Sequence, residues 1–348
     1  MQKRLATVAQ LAEFDTIIDV RSPAEFAEDH LPGAQSCPVL SNEERIRVGT
    51  LYKQVSAFEA KKVGAAIVSR NIAQCLESNF LDQPKNWRPM IYCWRGGQRS
   101  GAFTHVLCEI GWDAHQLAGG YKTWRRHVLT QLETLPDQFD FRVISGATGS
   151  GKSRLLETLA AQGAQVLHLE QMAAHKGSVL GSLPRQDQPS QKGFDTSLFA
   201  ALGHLSSDRP VFVEAESRKI GQLQLPETLV AAIRRAPCAR LQVNLDARID
   251  FLLGDYDYAI SDPTWLISCI DRLHGMQSRE TLIRWNQLVA DGNFRQLVEE
   301  LLTQHYDPLY QRSQNHNYAE HGQARLVEVS DLSPVTLCEL ARQLQSSS

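Results

Sequence analysis

The chain has no long apolar run, no CxxC pair and only a small excess of charge, with 36 Lys and Arg against 39 Asp and Glu and a net charge of −3. Nothing in it is apolar for long enough to span a bilayer, and Met1-Gln2-Lys3-Arg4-Leu5-Ala6 lacks the apolar segment of a signal peptide. A soluble, cytoplasmic protein with no membrane partner is expected. The seven cysteines, Cys37, Cys75, Cys93, Cys108, Cys238, Cys269 and Cys338, are dispersed and have no histidine at zinc spacing. That pattern argues for reduced thiols rather than a disulfide framework or a metal centre. The near-neutral balance gives no global sign of nucleic-acid binding, so RNA contact would need a local basic patch. No internal repeat or low-complexity tract is present.

What is present suits an ordinary folded protein. Apolar residues make up 43% and charged residues 22% of 348 positions, a length that suggests two domains with a helical appendage. The most informative stretch is Ile91-Tyr92-Cys93-Trp94-Arg95-Gly96-Gly97-Gln98-Arg99-Ser100-Gly101. Met90 to Tyr92 is β-prone, the two glycines permit a tight loop, and Ser100 is placed to cap a following helix. Cys93 would sit at the mouth of a ring of backbone N–H groups, backed by a helix N-terminus and by Arg95 and Arg99. Such a cup favours an anionic sulfur and so covalent chemistry, although a phosphatase loop looks similar.

Around this stretch the order is strand then helix, repeated. Thr16 to Arg21 reads as a buried parallel-type strand, and Ser22-Pro23-Ala24-Glu25-Phe26 carries the signals of a helix start. Asp19, Arg21 and Glu25 are read as charges that pair to fix a loop rather than as catalytic groups. Residues 41–86 form a long, mostly helical excursion, of a kind often used as a binding surface. A helix from about Ser100, a strand at Ala114–Leu117 and a helix from Tyr121 complete an α/β layer with a parallel sheet. Asp19-Val20-Arg21, Glu25-Phe26, His30-Leu31-Pro32-Gly33-Ala34, the Cys93 loop and Leu117-Ala118-Gly119-Gly120-Tyr121 together resemble a rhodanese domain. That resemblance implies that Cys93 carries sulfane sulfur, or selenium in the analogous form.

After a joint near Asp137–Asp140 a second unit begins, which divides the chain into residues 1–135 and 136–348. Phe141 to Ser145 is a strand, and Gly146-Ala147-Thr148-Gly149-Ser150-Gly151-Lys152-Ser153 fits G-x-x-x-x-G-K-[ST] at every fixed position. In that motif backbone N–H groups wrap a diphosphate, lysine meets its terminal charge and the hydroxyl meets magnesium. Pro210 to Glu214 is a further strand, and Glu214 or Glu216 is a candidate for holding Mg2+ through water or orienting a nucleophile; pairing with Arg218 or Lys219 is the alternative. No firm metal site is read from the sequence. Segments 169–178 and 188–194, which include His175, Lys176 and Lys192, are expected to form a phosphate- or RNA-facing rim. Amphipathic helices follow around Thr281–Val289 and Phe294–Leu302. Lys122, Arg125, Arg126, His175, Lys176 and Arg218 are candidate RNA contacts, with Trp124 as a stacking platform.

The combination is narrower than either half. With Asn42-Glu43-Glu44-Arg45, His175-Lys176-Gly177-Ser178, Glu214-Ala215-Glu216-Ser217-Arg218 and Tyr306-Asp307-Pro308-Leu309-Tyr310, nearly the whole chain resembles the bacterial tRNA 2-selenouridine synthases. It departs from that family's pattern at His168, where aspartate is usual, and at Lys176, where arginine is usual. The resemblance implies a rhodanese-like domain followed by a P-loop α/β domain with a helical C-terminal region. It further implies replacement of the sulfur of wobble 2-thiouridine by selenium from selenophosphate, through an S-geranyl intermediate made from geranyl diphosphate. tRNA is then the macromolecular substrate and selenophosphate synthase a candidate partner. Two other readings stay open: a sulfurtransferase that uses ATP at its P-loop in tRNA thiolation, and a noncatalytic tRNA-binding module that also uses Arg234 and Arg235.

Overall fold

The computed structural model describes residues 4–178, 180–317 and 324–346, so Met1-Gln2-Lys3 lies outside the described residues. Two compact units emerge. One joins Met1–Gln131 with Ser190–Ala200; the other joins Leu132–Pro189 with Ala201–Ser348.

The first unit is a parallel sheet of β1 (Leu5–Ala6), β2 (Thr16–Asp19), β3 (Gln35–Ser36), β4 (Pro89–Tyr92) and β5 (His115–Leu117), in the order β1-β5-β4-β2-β3. All four residues of β4 are buried, which is why this run is uniformly apolar and why the strand lies at the centre. Helices α1 (Pro23–Glu28), α2 (Asn42–Gln54), α3 (Ala57–Asn79), α4 (Gln98–Ile110) and α5 (Gly120–Leu132) connect the strands. Ser22 and Glu25 form a capping box with proline at the start of α1, and Ser41 with Glu44 does the same for α2. Ile18, Val20, Ile91, Phe103 and Leu107 form the core.

Arg21 and Asp29 are buried here with partners for their charge. Arg21, 1% exposed, donates from Nη2 to Asp19 Oδ2 at 2.6 Å and to the Asp29 carbonyl at 2.6 Å, with its guanidinium 4.0 Å from the Tyr121 ring centre. The carboxylate of Asp29 accepts from Tyr121 Oη at 2.7 Å and from Thr196 Oγ1 at 3.1 Å. Arg125 pairs with Asp195, and Lys192 Nζ lies 2.7 Å from Glu28 Oε1. The segment Ser190–Ala200 is thus bound into the first unit, although residues 136–348 are expected from sequence to form one domain.

The second unit is a parallel sheet of β6 (Phe141–Gly146), β7 (Gln165–Leu167), β8 (Val211–Glu214), β11 (Cys238–Val243) and β12 (Arg325–Val329), in the order β12-β11-β6-β8-β7, with a separate antiparallel hairpin of β9 (Lys219–Ile220) and β10 (Leu223–Gln224). Helices α6 (Lys152–Ala161), α7 (Leu169–Met172), α9 (Glu227–Arg235) and α10 (Leu245–Asp255) lead to a helical region, while α8 (Gln191–Gly203) lies mostly in the segment that belongs to the first unit. That region consists of α11 (Asp257–Ile260), α12 (Pro263–Asp271), α13 (Arg279–Ala290), α14 (Phe294–Leu301) and α15 (Asp307–Asn317), with α16 (Pro334–Ser346) returning to the sheet. Leu155, Leu156 and Leu159 of α6 pack with Leu337, Leu340 and Ala341 of α16. The helical region has its own core around the fully buried Trp285. A π-helical turn, Leu302–Tyr306, joins α14 to α15, a local widening that often marks a functional position. Among the described residues no helix is long and apolar enough to cross a membrane.

Candidate active sites

Cys93 follows β4 directly and is 3% exposed. Two donors converge on its sulfur, the Gly97 backbone N–H at 3.3 Å and the Ser100 hydroxyl at 3.1 Å. Gln116 Nε2 on β5 holds both carriers, donating to Ser100 Oγ at 2.8 Å and to the Gly97 carbonyl at 2.9 Å. Gly120, with φ +60°, closes the loop from behind; a Cβ there would lie 2.2 Å from the Cys93 carbonyl oxygen. The result is a cup of hydrogen-bond donors around one sulfur, suited to an anion bound on it.

Three details differ from the sequence expectation. The helix starts at Gln98 with Gly97 as its cap, so Ser100 does not cap it; its hydroxyl serves the sulfur instead. Arg99 bonds Glu25 Oε2 at 3.0 Å rather than lining the cup. Burial raises the Glu25 pKa, but the hydrogen bond and charge of Arg99 outweigh it and hold the carboxyl below its usual range. Arg95 and Gln98 are exposed at the loop's outer edge.

The second cradle lies between β6 and α6. Gly146 and Thr148–Ser153 line a cleft of about 970 Å³ together with Glu170, His175, Lys176, Glu214, Glu216, Asp255 and Tyr256. Lys152 Nζ donates to the carbonyls of Gly146 at 3.0 Å and Ala147 at 3.5 Å, so its charge is held at the loop by neutral partners. Ser153 Oγ donates to Glu170 Oε2 at 2.8 Å. Several lining atoms are buried without a hydrogen-bond partner, among them Ser150 Oγ, His175 Nδ1 and Tyr258 Oη. Unpaired polar atoms grouped in one cleft are what a polar ligand would satisfy.

Glu214 is buried at the end of β8 and accepts from the Leu169 backbone N–H at 3.1 Å. Burial, reinforced by the charge of Glu170, pushes its carboxyl up to about 8, and burial with the charges of Glu170 and Glu214 also raises Glu216. Between the unfolded value near 4.5 and about 8 the folded protein keeps a proton that the unfolded chain has lost, so this carboxyl's contribution to stability is lost as pH rises through that window. Glu214→Gln keeps an acceptor for Leu169 and removes the titration. Urea unfolding at pH 5, 6.5 and 8 should therefore show a flatter profile for the variant, with a gain of a few kcal/mol over the parent at pH 8.

Two families match this chain. The one described as "tRNA 2-selenouridine synthase AAA domain" matches residues 139–265, and the one described as "Rhodanese-like domain" matches residues 3–127. The tRNA 2-selenouridine synthase of Marinobacter nauticus is 34% identical over 328 residues, covering 84% of this chain and 87% of its own. This chain belongs to the tRNA 2-selenouridine synthase family. The relative from Alcanivorax borkumensis is 31% identical, covering 84% of this chain and 88% of its own. The relative from Nitrosomonas europaea is 36% identical over 244 residues, with 69% of this chain and 63% of its own covered.

Lys176 and His168 are read from sequence as departures from the family's pattern. Lys176 Nζ lies 2.5 Å from Asp255 Oδ2 and 4.0 Å from the Tyr256 ring centre, so a cation is retained in the cleft. His168 precedes α7, and burial lowers its pKa. The expected tRNA contacts divide. Lys122 and Arg126 are exposed on α5, whereas Arg125 is tied to Asp195 and Trp124 is 3% exposed against Phe199, which removes that indole as a stacking platform. Arg218 is exposed and paired with Glu227. His175 and Lys176 line the phosphate cleft, which corresponds to the phosphate-facing alternative for that rim.

Sequence reasoning passed over Glu170, Arg248 and Asp307. Arg248 Nε donates to the Thr148 carbonyl at 2.8 Å while its other nitrogens bond Asp307 at 2.6 and 3.1 Å, which fixes the phosphate loop against α15. A lone arginine in an amphipathic helix carries no local mark of such a role.

Proposed function

We propose that this chain acts on tRNA bearing wobble 2-thiouridine and converts it to 2-selenouridine, with one stage at each cradle. The observation that carries the reading is that a chain of this family combines a sulfur cupped by two donors with a second anion cradle whose lysine hydrogen-bonds only to carbonyls of its own loop.

At Gly146–Ser153 the ligand would be geranyl diphosphate. The thiocarbonyl sulfur of the base attacks C1 of the allylic chain, the C–O bond breaks, and diphosphate leaves with the electron pair. Backbone N–H groups of the loop and Lys152 meet that growing negative charge, which is where fixed donors lower a barrier most. Magnesium fits the donor set here, since Ser153 and Glu170 offer oxygen and the carboxyls of Glu214 and Glu216, whose ionised forms burial and Glu170 disfavour, would ionise more readily beside a cation. Among the described residues no three carboxylate, histidine or cysteine side chains converge on one metal position, so most of its ligands would be water and phosphate oxygens, as is usual for this ion. When bound it would supply charge neutralisation of the diphosphate.

Cys93 serves the second stage. Alkylation turns the base sulfur into a good leaving group: the Cys93 thiolate attacks C2, the bond from C2 to the geranylated sulfur breaks and geranylthiol departs, and selenium of selenophosphate then forms the C2–Se bond as the bond from C2 to Cys93 Sγ breaks and the thiolate is restored. Water cleaves the Se–P bond and releases phosphate. The Gly97 N–H and Ser100 hydroxyl hold the anionic chalcogen. Exposed Lys122 and Arg126 provide phosphate contacts for the tRNA.

Incubation of the protein with 2-thiouridine tRNA, geranyl diphosphate, selenophosphate and Mg2+, followed by mass spectrometry of the nucleosides, tests this. S-geranyl-2-thiouridine should form first and 2-selenouridine from it. Absence of both products would sink the proposal.

A further inference from the structure

Past Thr148 and Tyr306 the phosphate cleft changes character. A narrow arm leaves it, lined almost entirely by apolar side chains that include Leu180, Ala259, Trp265, Leu266, Leu297 and Leu302. Thr148, Ser178, Leu252, Tyr256 and Tyr306 line both the cleft and the arm, so the two adjoin across these side chains. The arm is built from the end of α10, from α11 and α12, and from α14 with the π-helical turn, whose last residue is Tyr306. About 80 Å³ of it is open, room for about one branched isoprene unit, while the wider cleft has space for more.

An ordinary gap in a helical core closes on apolar walls; this one opens onto a residue of the phosphate loop. The chemistry of its lining decides what could enter. A nucleobase carries donors and acceptors along its edge, and burying them among leucines with nothing to bond would cost more than the contact returns. A hydrocarbon chain has no such cost and releases water from both surfaces. The juxtaposition of an anion cradle and a dry arm therefore selects a molecule with a diphosphate head and a hydrocarbon tail.

We propose that this arm holds the distal isoprene unit of a prenyl diphosphate whose head lies at Gly146–Ser153, and that its limited depth sets the accepted chain length. The inference rests on the diphosphate reading of the cleft above. The proximal unit lies in the wider cleft beside Thr148 and Tyr256, which leaves C1 at the phosphate loop, where substitution takes place.

Titration calorimetry in Mg2+ buffer with inorganic, dimethylallyl, geranyl and farnesyl diphosphates tests both layers separately. Geranyl diphosphate should bind at least about 30-fold more tightly than the dimethylallyl ester, the order expected for one more partly buried isoprene unit, and farnesyl diphosphate should bind more weakly than geranyl. Ala259→Phe, which fills the arm, should reduce the geranyl advantage to about threefold and leave inorganic diphosphate affinity unchanged. Ile260→Trp, at a half-buried lining position, gives the same comparison if Ala259→Phe does not fold. Equal affinities for the dimethylallyl and geranyl esters in the parent protein would overturn the arm, as would filling variants that keep the full advantage; in either case diphosphate binding that is lost in Lys152→Ala would leave the cleft reading standing. No binding of any diphosphate by the parent would overturn both.

Discussion

Cys93→Ala should abolish 2-selenouridine formation, by on the order of 10³-fold or more, while S-geranyl-2-thiouridine accumulates in the tRNA. The expectation follows from the local geometry. Cys93 supplies the sulfur inside a cup whose donors are the Gly97 N–H and the Ser100 hydroxyl, both held independently of it by Gln116. Cys93→Ser is the stricter comparison, because it keeps an acceptor of similar shape for both donors and changes only the chalcogen chemistry. Quantifying both nucleosides by mass spectrometry over a time course separates the stages. If the alanine variant loses geranylation as well, the division of labour between the two cradles is wrong.

Lys152→Ala should have the complementary effect. Geranylation should fall by about 10²- to 10³-fold, the usual consequence of removing a group that meets charge as it develops. Selenation of tRNA already carrying the S-geranyl group should proceed at nearly the parent rate. The side chain is bonded only to carbonyls of its own loop, so no structural ion pair is broken by the change and a large loss would not reflect unfolding. Lys152→Arg should rescue little, since a planar fork does not replace a compact ammonium at a loop this tight. Unchanged geranylation in the alanine variant would remove the P-loop from the chemistry.

Local features were legible from sequence and long-range ones were not. The buried run Pro89–Tyr92, the Ser22–Glu25 capping box and the G-x-x-x-x-G-K-S loop each declare themselves within a few residues, because backbone geometry demands those types in that order. The pairing of Asp19 with Arg21 was equally legible, the two being neighbours at a strand end. Glu170 was missed because what makes it a site residue is its approach to Ser153, Glu214 and Glu216, which the sheet brings together from three separate segments. Trp124 illustrates the opposite error. Its basic neighbours suggested an outward ring, but helical spacing turns it inward while Lys122 and Arg126 remain outside. The β9–β10 hairpin is only four residues of strand and lacks the alternation that would mark it.

The buried ionic group around Asp29 also sets an order of assembly. Thr196 and Asp195, which complete the partners of Asp29 and Arg125, lie some sixty residues past Gln131 in the chain, with a stretch of the second unit in between. During synthesis the rhodanese-like sheet can be translated in full and still hold charges whose partners have not left the ribosome. Its final closure must wait for residues 190–200, so the sulfur-handling half of the chain is completed only after the phosphate loop of the other half has already emerged.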